Sequence, residues 1–325
     1  MHNKRSLLIK TIFLLISISV SANELLDNYR INGITKIEKQ MDFELTKSSY
    51  WQKYLENKDL TFGYIENHST ILTCNKKAST LSLYKKNHLG KFELKKNYDA
   101  FTGKMEGDKI KEGDLKTPIG IYDITKKIYK LDSFYGPLAF VTSYPNAYDK
   151  FRKKNGSGIW IHGLPSEETR DEYTKGCIAI DNSNIECLDK RIDIEKTLVI
   201  IDQDKLQKKH SKKIISDILK QLYLWRYSWL YNDINTYLSF YASDFIRFDG
   251  MNFHKFKNYK TRVFEKDERK TIIFTNINII HYPNSENIYQ ITFKELYKSN
   301  SFKFEGDKTL FVKIANNSMK IFTER

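Results

Sequence analysis

Cysteine is scarce in this chain of 325 residues: Cys74, Cys177 and Cys187 are the only three. An odd count leaves at least one thiol outside any disulfide. A Cys74–Cys187 pair stays open, although nothing in the spacing asks for it. There is no C-x-x-C and no His/Cys cluster at zinc spacing, which argues against a disulfide framework or a structural metal. Beyond residue 22 no apolar run approaches the roughly 20 residues of a membrane helix, so an exported, soluble body that is not membrane-embedded is expected. Arginine-rich runs and nucleic-acid motifs are missing, which removes the usual footprint of a nucleic-acid binder. Internal repeats and low-complexity tracts are missing too.

What is present is a globular composition, 40% hydrophobic and 14% aromatic, on a chain long enough for two domains. The net charge of +14 would attract a polyanion such as an anionic wall or membrane surface. Scattered lysines with interleaved acids fit a generally lysine-rich composition better. Residues 1–22 read as a signal peptide: Lys4, Arg5 and Lys10 precede the apolar "TIFLLISISV", and Val20-Ser21-Ala22 supplies small residues for cleavage. A periplasmic location follows as an expectation.

Residues 23–65 form a helical N-terminal region in this reading, with Ile34, Ile37, Met41 and Leu45 at helical spacing. It is expected to pack on the next domain or on another subunit. From 66 to 203 the pattern turns to short strands and turns: "STLSLY" and "KFEL" alternate with period two, and "TLVIID" is a continuous buried strand. That predicts a mainly β domain. A polar linker (204–211) precedes residues 212–325. There Ile215, Ile218, Leu222, Trp225 and Trp229 lay one stripe on a long helix. A short helix "INTYLSFY" and four strand-like runs follow, so this second domain is α+β.

One short stretch carries chemistry. In "IWIHG", Ile159 and Ile161 share one strand face while Trp160 and His162 take the other. In "TKGCIAI", Ile178 and Ile180 share a face while Cys177 and Ala179 take the opposite one. If the two strands are neighbours, His162 and Cys177 meet outside the core, with Trp160 as a wall. An imidazole that takes the thiol proton makes a nucleophile able to attack an amide carbonyl. The oxyanion then needs preset donors. The Gly176 and Cys177 amides are the candidates, with a Thr174 hydroxyl as a further donor. Spacing alone leaves a second reading open: a half-buried thiol and a surface histidine.

The His-Gly pair, the interval of about fourteen residues and the following [ST]-x-G-C resemble the signature of the L,D-transpeptidase (YkuD-like) catalytic domain. "TGKMEGDKIKEGDLKTPIGIYDI" and "YGPLAFVTSYPNAYD" resemble its preceding segments in the same order. The resemblance covers roughly 78–203. It implies a β-sandwich-like domain and a metal-free, cofactor-free cysteine mechanism on peptidoglycan stem peptides. Cys177 would be the nucleophile and His162 the general base and later acid, with the Gly163 carbonyl orienting the histidine. Two departures stand out. The usual "SHGC" reads "TKGC", placing Lys175 where a histidine is expected, and Ala179 stands where an arginine is expected. The C-terminal region resembles NTF2-like domains. The combination is similar to the L,D-carboxypeptidases that set helical cell shape.

The resemblance therefore implies a peptidoglycan L,D-carboxypeptidase trimming tetrapeptide stems to tripeptides. An L,D-transpeptidase crosslinking stems or attaching protein to the wall is one alternative, and an inactive wall-binding scaffold is another. Further substrate-side candidates are Trp160, Thr174, Lys175, Arg170 and Tyr144. Arg170 also reads as a solvated loop charge, and Tyr144 as a packing residue. A glycan or protein ligand for the second domain, and a homodimer, complete the expected partners.

Overall fold

The computed structural model describes residues 3–165, 173–204 and 210–325, with side chains from residue 23 onward. The expected signal segment, residues 1–22, and Arg170 lie outside the described side chains. Helix α1 (Asn3–Glu44) is interrupted at Gly33, where φ is 73°, and α2 (Ser48–Tyr54) follows. The chain then crosses between domains through a two-residue strand, β1 (Tyr64–Ile65).

The middle region runs β2 (Thr70–Asn75), β3 (Thr80–Lys86), β4 (Phe92–Asp99), β5 (Gly120–Tyr129), β6 (Leu138–Thr142), α3 (Ala147–Phe151), β7 (Trp160–His162), β8 (Ile178–Ala179), α4 (Asn182–Asp189) and β9 (Thr197–Asp202). Its eight strands form one sheet in the order β4-β3-β2-β9-β5-β6-β7-β8. The sheet curls over its own core, so alternate residues meet inside. Leu72, Leu83, Phe140, Ile161, Ile178 and Val199 share that core, and α4 closes it with Ile185 and Leu188.

The C-terminal region adds α5 (Lys212–Leu230), α6 (Ile234–Ser239), α7 (Phe253–Phe264), β10 (Thr271–His281), β11 (Ile288–Lys298), β12 (Lys303–Ala315) and β13 (Ser318–Glu324). The five-stranded sheet β1-β10-β11-β12-β13 wraps α5, whose Ile215, Ile218, Leu222, Trp225 and Trp229 are all buried. The predicted stripe is thus the spine of this domain. Helix α7 escaped the sequence reading because its inward positions are Phe256, Lys260 and Phe264, and a lysine in the stripe hides the period.

The N-terminal segment belongs structurally with the C-terminal domain. Trp51, Leu55 and Tyr64 join the α5 core, and β1 adds a strand beside β10. Residues 64–65, read as part of a helical region, are therefore extended. The buried Asp42 carboxylate accepts from Arg226 at 2.8 Å and from the Tyr231 hydroxyl at 2.9 Å, tying α1 to α5.

A second apolar layer joins the domains. Ile71, Ile121, Leu198 and Ile200, from the outer face of the middle sheet, pack with Ile280, Tyr282, Phe311 and Phe322 of the C-terminal domain. All six residues of β9 are buried for this reason. One face points into the domain's own core and the other into the interface, which gives the continuous apolar run of a strand covered on both sides.

Candidate active site

Strands β7 and β8 are parallel neighbours, with Ile161 opposite Ile178 and His162 opposite Ala179. Since side chains alternate, the two isoleucines go to the core and His162 shares its face with Cys177, immediately before β8. Diagonal neighbours on one sheet face are about 7–8 Å apart, within reach of an aromatic side chain. The cysteine segment is held on both flanks. Ile180 donates to the His162 carbonyl on one side, and Phe101 and Ala179 exchange backbone bonds at 2.8 and 2.9 Å on the other.

His162 is 1% exposed, while the Cys177 side chain is half-buried. The ring nitrogen Nδ1 lies 2.7 Å from the Gly163 carbonyl oxygen. A carbonyl only accepts, so Nδ1 carries the proton and Nε2 is left as the basic nitrogen. The Cys177 thiol donates to the Gly158 carbonyl at 3.4 Å. The Tyr135 ring stands 5.1 Å from His162 and 5.0 Å from Trp160, centroid to centroid. With half-exposed Trp160 it forms an aromatic wall. Lys175 is exposed on the turn.

Three site expectations need correction. The Gly176 N–H was expected to point at an oxyanion; instead it donates to Thr174 Oγ1 at 3.0 Å. Thr174 is 6% exposed, and its hydroxyl donates to the Cys177 carbonyl at 2.7 Å. That hydroxyl is consumed in shaping the turn, so it does not reach a substrate. Gly176 still requires glycine, because at φ 135° a Cβ would lie 2.8 Å from the Lys116 carbonyl oxygen. Tyr144 is likewise a packing residue: its ring is 5% exposed and its hydroxyl donates to the Asn155 carbonyl at 3.1 Å. Arg170 lies outside the described residues. Among the described residues no disulfide forms. Cys74 is sealed in the core, where burial pushes its thiol up to about 12 against the pull of nearby Lys76.

Two contributors escaped the sequence reading. Tyr135 comes from the turn before β6. Asn182, the first residue of α4, donates to the Leu164 carbonyl and accepts from its N–H. Tyr135 lay inside a stretch already singled out by resemblance. Asn182 carried no local signal, because its partner is eighteen residues away.

This fold, with a cysteine and a histidine on one sheet face, defines a catalytic domain of the L,D-transpeptidase type. Residues 69–201 match the L,D-transpeptidase (YkuD) catalytic domain, and residues 217–325 match the Cds6 C-terminal NTF2-like domain. The chain belongs to the family that joins these two domains. Among solved structures it is similar to the helical cell shape determining protein Pgp2 of Campylobacter jejuni, with 38% identity, a TM-score of 0.79, and coverage of 86% of this chain and 100% of that one. Bd1075 of Bdellovibrio bacteriovorus is similar at 25% identity and TM-score 0.66, covering 83% of this chain and 96% of that one. YafK of Escherichia coli strain K12, named as an L,D-transpeptidase, is 33% identical over 114 residues. That match spans 34% of this chain and 42% of YafK, less than half the length of this curated relative.

Proposed function

We propose that the protein is a peptidoglycan L,D-carboxypeptidase that trims tetrapeptide stems to tripeptides and contributes to cell shape. The observation that carries this reading is the 2.7 Å approach of His162 Nδ1 to the Gly163 carbonyl oxygen. With Nδ1 held by the Gly163 carbonyl, Nε2 is the nitrogen that acts as base on the face that Cys177 shares. In the proposed sequence, Nε2 takes the thiol proton and the thiolate attacks the carbonyl joining the third residue to terminal D-alanine. The tetrahedral oxyanion collapses, and the imidazolium gives its proton to the departing D-alanine amine. Water, deprotonated by Nε2, then attacks the thioester, releasing the tripeptide carboxylate and restoring the thiol. The aromatic wall of Tyr135 and Trp160 would flank the stem peptide. Exposed Lys175 would offer a cation to a substrate carboxylate.

Hydrolysis is favoured over crosslinking because Ala179 is fully buried between His162 and Phe101. It presents no cation to hold the carboxylate of an acceptor stem. Incubation with purified tetrapeptide muropeptide tests this directly. Tripeptide and free D-alanine are expected. Crosslinked dimers as the main product would replace hydrolysis with transpeptidation, and an unchanged muropeptide would leave the scaffold reading.

The C-terminal domain is proposed to hold part of the wall. Its cavity of about 480 Å³ is lined by Trp229, Tyr259, Tyr297 and Phe302 and carries Lys260 and Lys308. Aromatic faces with ammonium groups suit a sugar bearing a carboxylate. Self-association is proposed through α1, where Leu25, Leu26, Tyr29, Ile31, Ile34 and Met41 are exposed. A monomer by sedimentation at micromolar concentration would refute that. Export is proposed to follow cleavage after residue 22. Recovery of the protein in the cytoplasmic fraction would contradict it.

A further inference from the structure

We propose that Asn182 is the third member of the cysteine–histidine site, acting on His162 through one peptide group. The inference rests on reading Cys177 and His162 as the reacting pair. The peptide between Gly163 and Leu164 is engaged at both ends. Its carbonyl oxygen accepts from His162 Nδ1 at 2.7 Å, and its N–H donates to Asn182 Oδ1 at 2.7 Å. Hydrogen bonds in such a chain polarise one another, so a grip on the N–H strengthens the carbonyl as an acceptor. Asn182 Nδ2 also donates to the Leu164 carbonyl at 3.0 Å. Both ends of the side-chain amide are thus spent on one residue's backbone.

In the familiar triads a carboxylate or amide side chain touches the histidine directly and fixes its tautomer. Here a backbone carbonyl does so, and a carbonyl alone can turn away when its peptide plane rotates. Asn182 blocks that rotation. The neighbouring peptide is fixed as well, since the Gly163 N–H donates to the Tyr135 carbonyl at 3.0 Å.

Two glycines give independent support. A Cβ at Gly163 would lie 2.3 Å from Asn182 Oδ1 and 2.8 Å from Pro137 Cδ. One at Gly136 would lie 2.5 Å from the same oxygen. Both backbones approach Asn182 Oδ1 more closely than a side chain would permit. The hydrogen bonds of the amide go to Leu164 and not to its own helix. Ile185 and Leu188, buried in the core, hold α4 and therefore the oxygen in place.

Asn182 is a positioning residue, so its test needs more than a rate. Among the described residues, the titratable groups placed at the ring are Tyr135, whose ring centre is 5.1 Å away, and Cys177 on the facing segment. Asn182→Ala weakens the bond that stabilises the imidazolium. It should lower kcat on the tetrapeptide muropeptide by about 10-fold or more with little change in KM, and move the acid limb of the kcat/KM profile, which reports the histidine base, to lower pH. Asn182→Asp keeps the acceptor and adds a negative charge. It should recover most of the rate and move that limb to higher pH. A limb that stays at its wild-type pH in both variants overturns the proposal, even if the melting temperature falls. Should Asn182→Ala fail to fold, Asn182→Asp decides alone, an upward move supporting the proposal and an unmoved limb overturning it. Cys177→Ala separates the two levels. If it trims like wild type, the catalytic reading fails. If it is inactive while both Asn182 variants match wild type, only the Asn182 assignment falls.

Discussion

Thr174 is a small residue with a large consequence for the turn that presents Cys177. Its hydroxyl accepts from the Gly176 N–H and donates to the Cys177 carbonyl. Valine has nearly the same volume and neither function, so Thr174→Val removes the partner of the buried Gly176 N–H and one partner of the half-buried Cys177 carbonyl. A destabilisation of about 1–3 kcal/mol is expected in denaturant unfolding. Thiol acylation should slow at least as much as stability falls, while Thr174→Ser stays near wild type. Equal acylation rates in the valine variant would show that the turn does not depend on the hydroxyl. At this scale the sequence revealed the pair itself, because strand alternation puts Cys177 and His162 on one face once β7 and β8 are neighbours. It misled about Gly176. The short Thr-x-Gly spacing permits a local side-chain bond that competes for the same N–H.

Among the elements, the loop between β4 and β5 matters most to the site. It flanks the cysteine segment: Thr174 donates to the Thr102 carbonyl, and Lys104 donates to Thr174. Buried charge holds this loop in shape. Lys154, with no side-chain exposure, lies 2.6 Å from Asp108 and 2.9 Å from Asp149. Within the loop, burial alone would raise Asp114. The Lys109 ammonium and the N–H groups of Ile110, Lys111 and Lys116 outweigh it and hold the carboxyl well below the usual carboxylate range. A depressed folded pKa contributes stability that is present above the unfolded value and lost as pH falls through the folded one. The loop should therefore loosen only below about pH 4, the ordinary carboxylate value. Asp114→Asn should remove that acid-side slope in an unfolding series from pH 5 to pH 2. An unchanged slope would assign acid sensitivity to other carboxylates. The sequence marked this stretch by its Gly, Asp and Lys content and its resemblance. The ion network stayed hidden, because Asp108 and Asp149 meet Lys154 only through folding. Helix α4 was hidden for a similar reason, being short and buried by only two apolar side chains.

For the whole molecule, the two domains share an apolar layer, while residues 205–209 of the expected linker lie outside the described residues. Both domains were legible as successive β and α+β patterns. The layer between them was not: "TLVIID" announces a strand covered on two sides without saying by what. The C-terminal cavity adds a pH-dependent property. Burial pulls the Lys260 ammonium down to about 8, against the attraction of Glu324 and Glu295 and with repulsion from Lys308 and Arg247. The group lies 4.4 Å from the Trp229 ring centre. Below that value the charged form prevails, so an anionic wall fragment should bind more tightly at pH 7 than at pH 9. Isothermal titration should show the loss, and Lys260→Met should flatten it. A wild-type affinity independent of pH over that range would remove Lys260 from ligand binding. The same shift affects stability in a defined direction. A lysine lowered in the folded state costs most below about pH 8, and the cost fades as pH rises toward the ordinary value near 10.4.

The central claim, that His162 activates Cys177 for attack on an acyl carbonyl, is tested most directly by the rate of covalent carbapenem addition followed by intact mass. Wild type should gain one adduct, mapped to Cys177. His162→Ala should react more slowly by about 100-fold or more, the usual scale of a lost general base. An adduct on Cys74 or Cys187, or a His162→Ala variant that reacts at the wild-type rate, would contradict the account.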